Sequence, residues 1–138
     1  MTQLKRIVIQ GLPAGFILLF IAAVTEQAGI SAYLNNFAIT INITNWMIST
    51  IAYNLMVGFI FAFVYNQISS GVKGDSALAK GLTFGFLIWL IASVPMLVNQ
   101  VIQNPTIFDF FRLDFISSFV GYPLLGASIA VMGERYCK

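Results

Sequence analysis

The distribution of apolar residues divides the chain into four long segments without charge. They run approximately over residues 7–25, 46–65, 81–98 and 115–133, and none has Asp, Glu, Lys or Arg in its interior. A bilayer core about 30 Å thick is spanned by a helix of roughly 20 apolar residues, and a charge at the centre of that helix costs about 2.5–3.5 kcal/mol on insertion. The pattern predicts an all-α integral membrane protein, a bundle of four transmembrane helices forming one membrane domain over 1–138.

Composition supports this interpretation and narrows the chemistry. Hydrophobic residues make up 59% of the chain and charged residues only 9%, whereas soluble domains carry about 25% charged residues. The lipid bilayer is therefore the first expected partner. The chain has no histidine, one cysteine (Cys137) and a net charge of +2. We therefore expect no cofactor, no metal site and no nucleic-acid partner.

The basic residues predict the direction of the helices. Six of the seven lie before the first segment, between the second and third, or after the fourth, and only Arg112 lies on the other side. Lysine and arginine concentrate in cytoplasmic loops of membrane proteins. We therefore expect a multi-pass protein with both termini in the cytoplasm, in the plasma membrane if the cell is prokaryotic.

The first and third segments resemble each other. Residues 11–24 and 81–94 are identical at seven of fourteen positions. The second and fourth segments align at an offset of 68 and share a ridge of small or polar residues every four positions, which in the second segment comprises Thr50, Asn54, Gly58, Ala62 and Asn66. Positions four apart share a helix face. This indicates two pseudo-repeated helical hairpins, 1–70 and 71–138, in parallel orientation.

Each segment also carries a pair of small residues four positions apart. Because lipid is as apolar as leucine, close contact at small residues is a main source of attraction between membrane helices. The pairs lie toward the cytoplasmic half of each segment, so we expect the helices to approach there and to splay at the other end. The predicted packing residues are Gly11, Gly15, Gly58, Ala62, Gly81, Gly85, Gly126 and Ala130.

A few polar side chains fall inside the predicted spans and form a candidate buried polar site. Asn54 lies midway through the second segment, and we expect its amide to bond to another helix. Trp89 lies near the middle of the third segment, where its indole N–H also requires a partner. The full candidate set is Ser49, Tyr53, Asn54, Trp89 and Tyr122.

The two segments between spans on the non-basic side are predicted to lie on the membrane surface. Residues 26–45 are interpreted as a loop, with partial strand-like alternation from Phe37 to Ile43. Pro105 and the aromatic run after it predict a short interfacial helix. Phe108, Phe111 and Phe115 share one face of that helix. They form a candidate outer interface, either with the membrane or with a neighbouring subunit.

Two functional classes remain. Without intramembrane charge or histidine, we do not expect an enzyme. The first class is a non-catalytic accessory or scaffold subunit of a larger membrane complex. The second is a small oligomeric channel or transporter for a neutral or weakly charged solute, so the expected partner is another membrane protein or further copies of the chain. A polar cavity reaching Asn54 would favour transport, and a bundle closed throughout would favour the accessory role.

Overall fold

A computed structural model describes the backbone of residues 2–37, 43–103 and 108–136. The side chains that it describes are those of 2–25, 44–45, 47–99, 101–102 and 115–136. Within these ranges the chain forms four α-helices, α1 (Gln3–Phe37), α2 (Ile43–Ile68), α3 (Ala77–Gln103) and α4 (Phe108–Tyr136). The architecture is all-helical.

Each helix contains a stretch long and apolar enough to cross a membrane. Among the described residues these stretches are Gln3–Thr25, Met47–Ile68, Ala77–Asn99 and Phe115–Tyr136. Each is 22 or 23 residues long, which matches the roughly 20 residues that a bilayer core requires. Length and composition therefore indicate a small multi-pass membrane protein.

Two surface segments predicted between the spans differ from the structure. Helix α1 continues through most of the predicted 26–45 loop as far as Phe37, and α2 already begins at Ile43. Residues 26–37 contain no proline and include good helix formers such as Gln27 and Ala28, so the helix has no local reason to end at the span boundary. Residues 38–42, the middle of the predicted strand-like stretch, lie outside the described residues.

The predicted interfacial helix is likewise part of a longer element. The helical backbone is continuous from Phe108 to Tyr136, so the aromatic segment forms the first turns of α4 instead of a separate helix. No proline or glycine interrupts residues 108–120, which allows the helix to continue into the span. Pro105 lies outside the described residues.

The helices pack as a curved row in the order α2, α1, α4, α3. Extended contacts join α1 to α2, α1 to α4 and α3 to α4, and smaller contacts join α2 to α4. In the part of the chain that the structure describes, no extended packing joins α2 to α3. The backbones of these two helices therefore stay apart, and we call the space between them the α2–α3 gap.

Backbone contact at glycine holds each hairpin together. A methyl group added at Gly58 would meet the carbonyl oxygen of Gly11 and would lie 2.7 Å from the Cα of Gly15. In the other hairpin, a methyl group at Gly126 would meet the carbonyl oxygen of Gly81 and lie 3.0 Å from the Cα of Gly85. The α1–α2 and α3–α4 backbones thus approach so closely that no side chain fits between them.

These contacts correspond between the two hairpins position by position. A methyl group added at Gly15 would lie 2.9 Å from the Cα of Leu55. A methyl group added at Gly85 would lie 2.6 Å from the Cα of Pro123. Leu55 and Pro123 are themselves 68 positions apart, the offset at which α2 and α4 align. The two remaining predicted packing residues, Ala62 and Ala130, are buried. The proposed duplication into 1–70 and 71–138 stays a prediction.

One end of the bundle carries most of the charge. Helix α1 begins there, the turn between α2 and α3 lies there, and α4 ends there. We call it the basic end, and among the described residues it contains Lys5, Arg6, Lys73, Lys80 and Arg135.

Replacement of Gly58 or Gly126 by alanine should destabilise the bundle by about 1–3 kcal/mol, the usual cost of forcing an extra group into a packed interior. In both cases the added methyl group meets backbone atoms that cannot move aside. Reversible unfolding in mixed detergent micelles measures the effect. Gly71→Ala is the matched control, because a methyl group there has only the Ile68 carbonyl oxygen within reach, at 3.6 Å. Equal stabilities for all three variants would contradict the glycine contacts.

Candidate functional site

A cavity of about 720 Å³ lies in the half of the bundle away from the basic end. All four helices contribute to its wall, and we call it the outer cavity. Half of its lining residues carry a hydroxyl or an amide, and none of the described lining residues carries a formal charge. The polar lining residues are Thr25, Ser49, Thr50, Tyr53, Asn54, Ser93, Ser117, Ser118 and Tyr122.

Four of the five residues predicted as a buried polar site line this cavity together. Ser49, Tyr53 and Asn54 come from α2, and Tyr122 comes from α4. Their placement follows from helix geometry, because Ser49 and Tyr53 are four positions apart and share a face, and Thr50 and Asn54 form the neighbouring row. Trp89 is not among the lining residues.

Asn54 makes a different hydrogen bond from the one expected. Its side chain is buried, and its Nδ2 donates to the carbonyl oxygen of Thr50, 2.8 Å away on the same helix. This bond stays within α2, whereas the expected bond joined Asn54 to another helix. The reason is geometric, since the carbonyl one turn earlier is within reach of a short amide side chain.

Trp89 supports the cavity wall from behind. Its Nε1 donates to the hydroxyl of Ser118 at 3.2 Å, and that hydroxyl donates to the carbonyl oxygen of Phe115 at 2.9 Å. The indole ring also packs against the rings of Phe115 and Phe119, with centroids 5.1 and 4.9 Å away. The indole N–H thus has the partner that its depth in the membrane requires, and that partner lines the cavity.

The candidate outer interface is only partly described. Phe115 lines the outer cavity and packs against Trp89, so its ring belongs to the α3–α4 contact. The side chains of Phe108 and Phe111 lie outside the described residues.

A chain of aromatic rings lies between the outer cavity and the basic end. The ring of Tyr122 meets Phe61 with centroids 5.6 Å apart, Phe61 meets Phe84 at 6.5 Å, and Phe84 meets Tyr65 at 5.1 Å. All three contacts are edge-to-face, a favourable geometry for aromatic pairs. We call Tyr122, Phe61, Phe84 and Tyr65 the aromatic layer.

A second, smaller cavity of about 480 Å³ lies on the other side of this layer, at the basic end. Tyr65 lines this inner cavity, as Tyr122 lines the outer one. The inner cavity carries charges of both signs, from Arg6, Lys80, Asp75 and Glu134. The described linings of the two cavities therefore differ in chemistry, the outer one being neutral and the inner one charged, and aromatic rings link the two walls.

Sequence reasoning missed Gln10, the most buried polar side chain described. It is fully buried, its Nε2 donates to the carbonyl oxygen of Ile129 at 3.0 Å, and its Oε1 accepts from Nδ2 of Asn66 at 2.6 Å. One amide thus joins α1 to both α2 and α4. The sequence does contain a signal for this residue, because Gln10 is the only strongly polar residue in the first half of the span predicted over 7–25.

The described residues of the two cavities offer hydroxyl groups, amides and, in the inner cavity, charged side chains. Among the described residues, no three His, Cys, Asp or Glu side chains are grouped so that they could hold a metal ion. The lining of the outer cavity supplies hydroxyl groups, one amide and apolar surface.

Comparison with family models, curated proteins and solved structures finds no match to this chain.

Gln10→Leu should destabilise the bundle by about 1–2 kcal/mol, because it removes two interhelical hydrogen bonds worth about 0.6 kcal/mol or more each. Leucine keeps most of the side-chain volume, so the loss of stability measures the contribution of the amide. Unfolding in mixed micelles measures it. Gln67→Leu is the matched control, since Gln67 is exposed on α2. If both variants unfold alike, the amide of Gln10 contributes nothing.

Proposed function

We propose that this membrane protein binds a small uncharged molecule in the outer cavity and transfers it across the membrane. The observation that carries the proposal is the neutral polar cavity that reaches Asn54. A bundle closed throughout would have favoured a purely structural accessory subunit. The cavity volume of about 720 Å³ lies within the range of about 300–1,000 Å³ typical of small-molecule sites.

The lining supports an uncharged substrate. A charged group deep in a membrane is costly unless a partner of opposite charge compensates it, and the described lining residues provide no such partner. Hydroxyl groups such as those of Ser49 and Ser118 both donate and accept hydrogen bonds. They can therefore replace the water around a neutral polar group without neutralising any charge.

The aromatic layer supports a transfer function more than simple storage. An inner cavity lies beyond the layer and is lined by Tyr65, while the outer cavity is lined by Tyr122. Between them, Phe61 contacts both Tyr122 and Phe84. Displacement of this one ring would shorten the barrier between the cavities, so we assign Phe61 the role of gate.

Reconstituted protein should speed the movement of a neutral solute such as glycerol into vesicles, measured by light scattering after osmotic challenge. Phe61→Ala should increase the rate further, because it removes the ring at the centre of the aromatic layer. Asn54→Leu should lower the rate, because it removes an amide from the cavity wall. The matched control is Phe63→Ala, which truncates an exposed phenylalanine on the same helix.

Two results would count against the gate. Equal rates for Phe61→Ala and Phe63→Ala would mean that the aromatic layer is not the barrier. A rate no higher than that of empty vesicles, for every variant and for several neutral solutes, would remove the transport proposal itself.

The second candidate is a non-catalytic accessory or scaffold subunit, and the α2–α3 gap beside the outer cavity favours it. A helix from a larger membrane complex could cover this part of the bundle and supply the packing that α2 and α3 lack there. This function predicts that the chain copurifies in mild detergent with different subunits. The transport proposal predicts that it purifies alone or as a homo-oligomer.

The proposed orientation, with both termini in the cytoplasm, can be tested with the only cysteine of the chain. A membrane-impermeant maleimide applied to intact cells should leave Cys137 unlabelled and should label it after permeabilisation. In a Cys137→Ser background, Thr40→Cys places a thiol between α1 and α2 and should give the opposite result. Labelling of Cys137 in intact cells would reverse the proposed direction.

A further inference from the structure

The α2–α3 gap borders the outer cavity. Helices α2 and α3 make no extended contact in the described residues, yet both contribute residues to the cavity wall. Aromatic rings close the α2–α3 gap where Phe84 meets Phe61 and Tyr65. The part of the gap beyond these rings lies beside the outer cavity, within the membrane-spanning parts of both helices. A molecule dissolved in the bilayer could therefore reach the cavity sideways.

The residues at the two edges of the gap support this route. Tyr53 on α2 and Met96 on α3 both line the cavity, and they are 59% and 53% exposed. Large side chains that face a cavity and the outside at once mark its rim. Ser49 on α2 and Ala92 on α3 are exposed lining residues as well. In a membrane, this exposed rim faces lipid.

The chemistry of the lining indicates what enters. Beside the hydroxyl groups, apolar side chains such as Ile21, Val57 and Leu97 form part of the wall. This combination fits a molecule with an uncharged polar head and an apolar chain. A charged lipid head group fits poorly, because the described lining offers no opposite charge to offset its desolvation.

We propose that the occupant of the outer cavity is a neutral membrane lipid that enters through the α2–α3 gap. Its hydroxyl or ester head group hydrogen-bonds inside the cavity, near Ser49 and Asn54, and its chains remain in the bilayer. This inference rests on the proposed binding function and specifies both the substrate class and the route.

Trp89 provides a built-in reporter. Its indole donates to Ser118, which lines the cavity, so a quencher in the cavity comes close to the ring. The chain has two tryptophans, and Trp46→Phe leaves Trp89 as the sole indole. Brominated lipids quench tryptophan only at short range, and acrylamide, a neutral amide, tests access from water.

The experiment compares two brominated lipids in phosphatidylcholine vesicles that contain the Trp46→Phe protein. Brominated diacylglycerol should quench Trp89 more than brominated phosphatidylcholine at the same mole fraction. Ala92→Phe and Ser49→Phe obstruct the α2–α3 gap from its two sides. Each should abolish the additional quenching by brominated diacylglycerol. Ile91→Phe is the matched control and should retain it, because Ile91 is 72% exposed and does not line the cavity.

The other outcomes separate the route from the function. If diacylglycerol shows no excess while acrylamide quenches Trp89, the cavity binds neutral molecules from water and the lateral route is wrong. If neither reagent quenches, both the route and the proposed binding function fail. If brominated diacylglycerol still quenches Trp89 more strongly in both obstructing variants, the lipid binds elsewhere and the inference is wrong.

Discussion

The structure depends on direct contact between helix backbones. In water, burial of apolar side chains would hold four helices together, but in lipid it contributes little, since the surroundings are equally apolar. Attraction must come from many short van der Waals contacts, and these require that no side chain separate the helices. Gly58 against Gly11 and Gly15, and Gly126 against Gly81 and Gly85, provide this contact once in each hairpin.

The position of these contacts also bears on where the outer cavity lies. All of them lie toward the basic end of the spans, and the outer cavity lies beyond them. Residues such as Ser49 and Tyr122 line it because they lie beyond the glycines on their helices. Close packing and the position of the outer cavity thus both depend on where the glycines fall along the helices.

Much of this arrangement could be predicted from the sequence, because hydropathy and small-residue spacing act locally. The four spans follow from apolar stretches of roughly 20 residues, and the glycine pairs and the polar face of α2 follow from residues four positions apart. Three features could not be found in this way. The bond of Gln10 to Ile129 joins residues 119 positions apart, and the α2–α3 gap depends on which helices become neighbours. The extension of α1 to Phe37 reflects helix continuation past the apolar stretch, where hydropathy gives no signal.

The amide of Gln10 has a consequence for the biosynthesis of the chain. Helix α1 is the first to leave the ribosome, while the carbonyl that accepts from Gln10 belongs to α4, the last. Until α4 is inserted, the Nε2 of Gln10 lacks its final acceptor and faces lipid or a transient water molecule, a state that costs free energy. A nascent or truncated chain lacking α4 therefore carries an exposed polar group within the bilayer, a feature by which cellular quality control can distinguish unfinished molecules from completed ones.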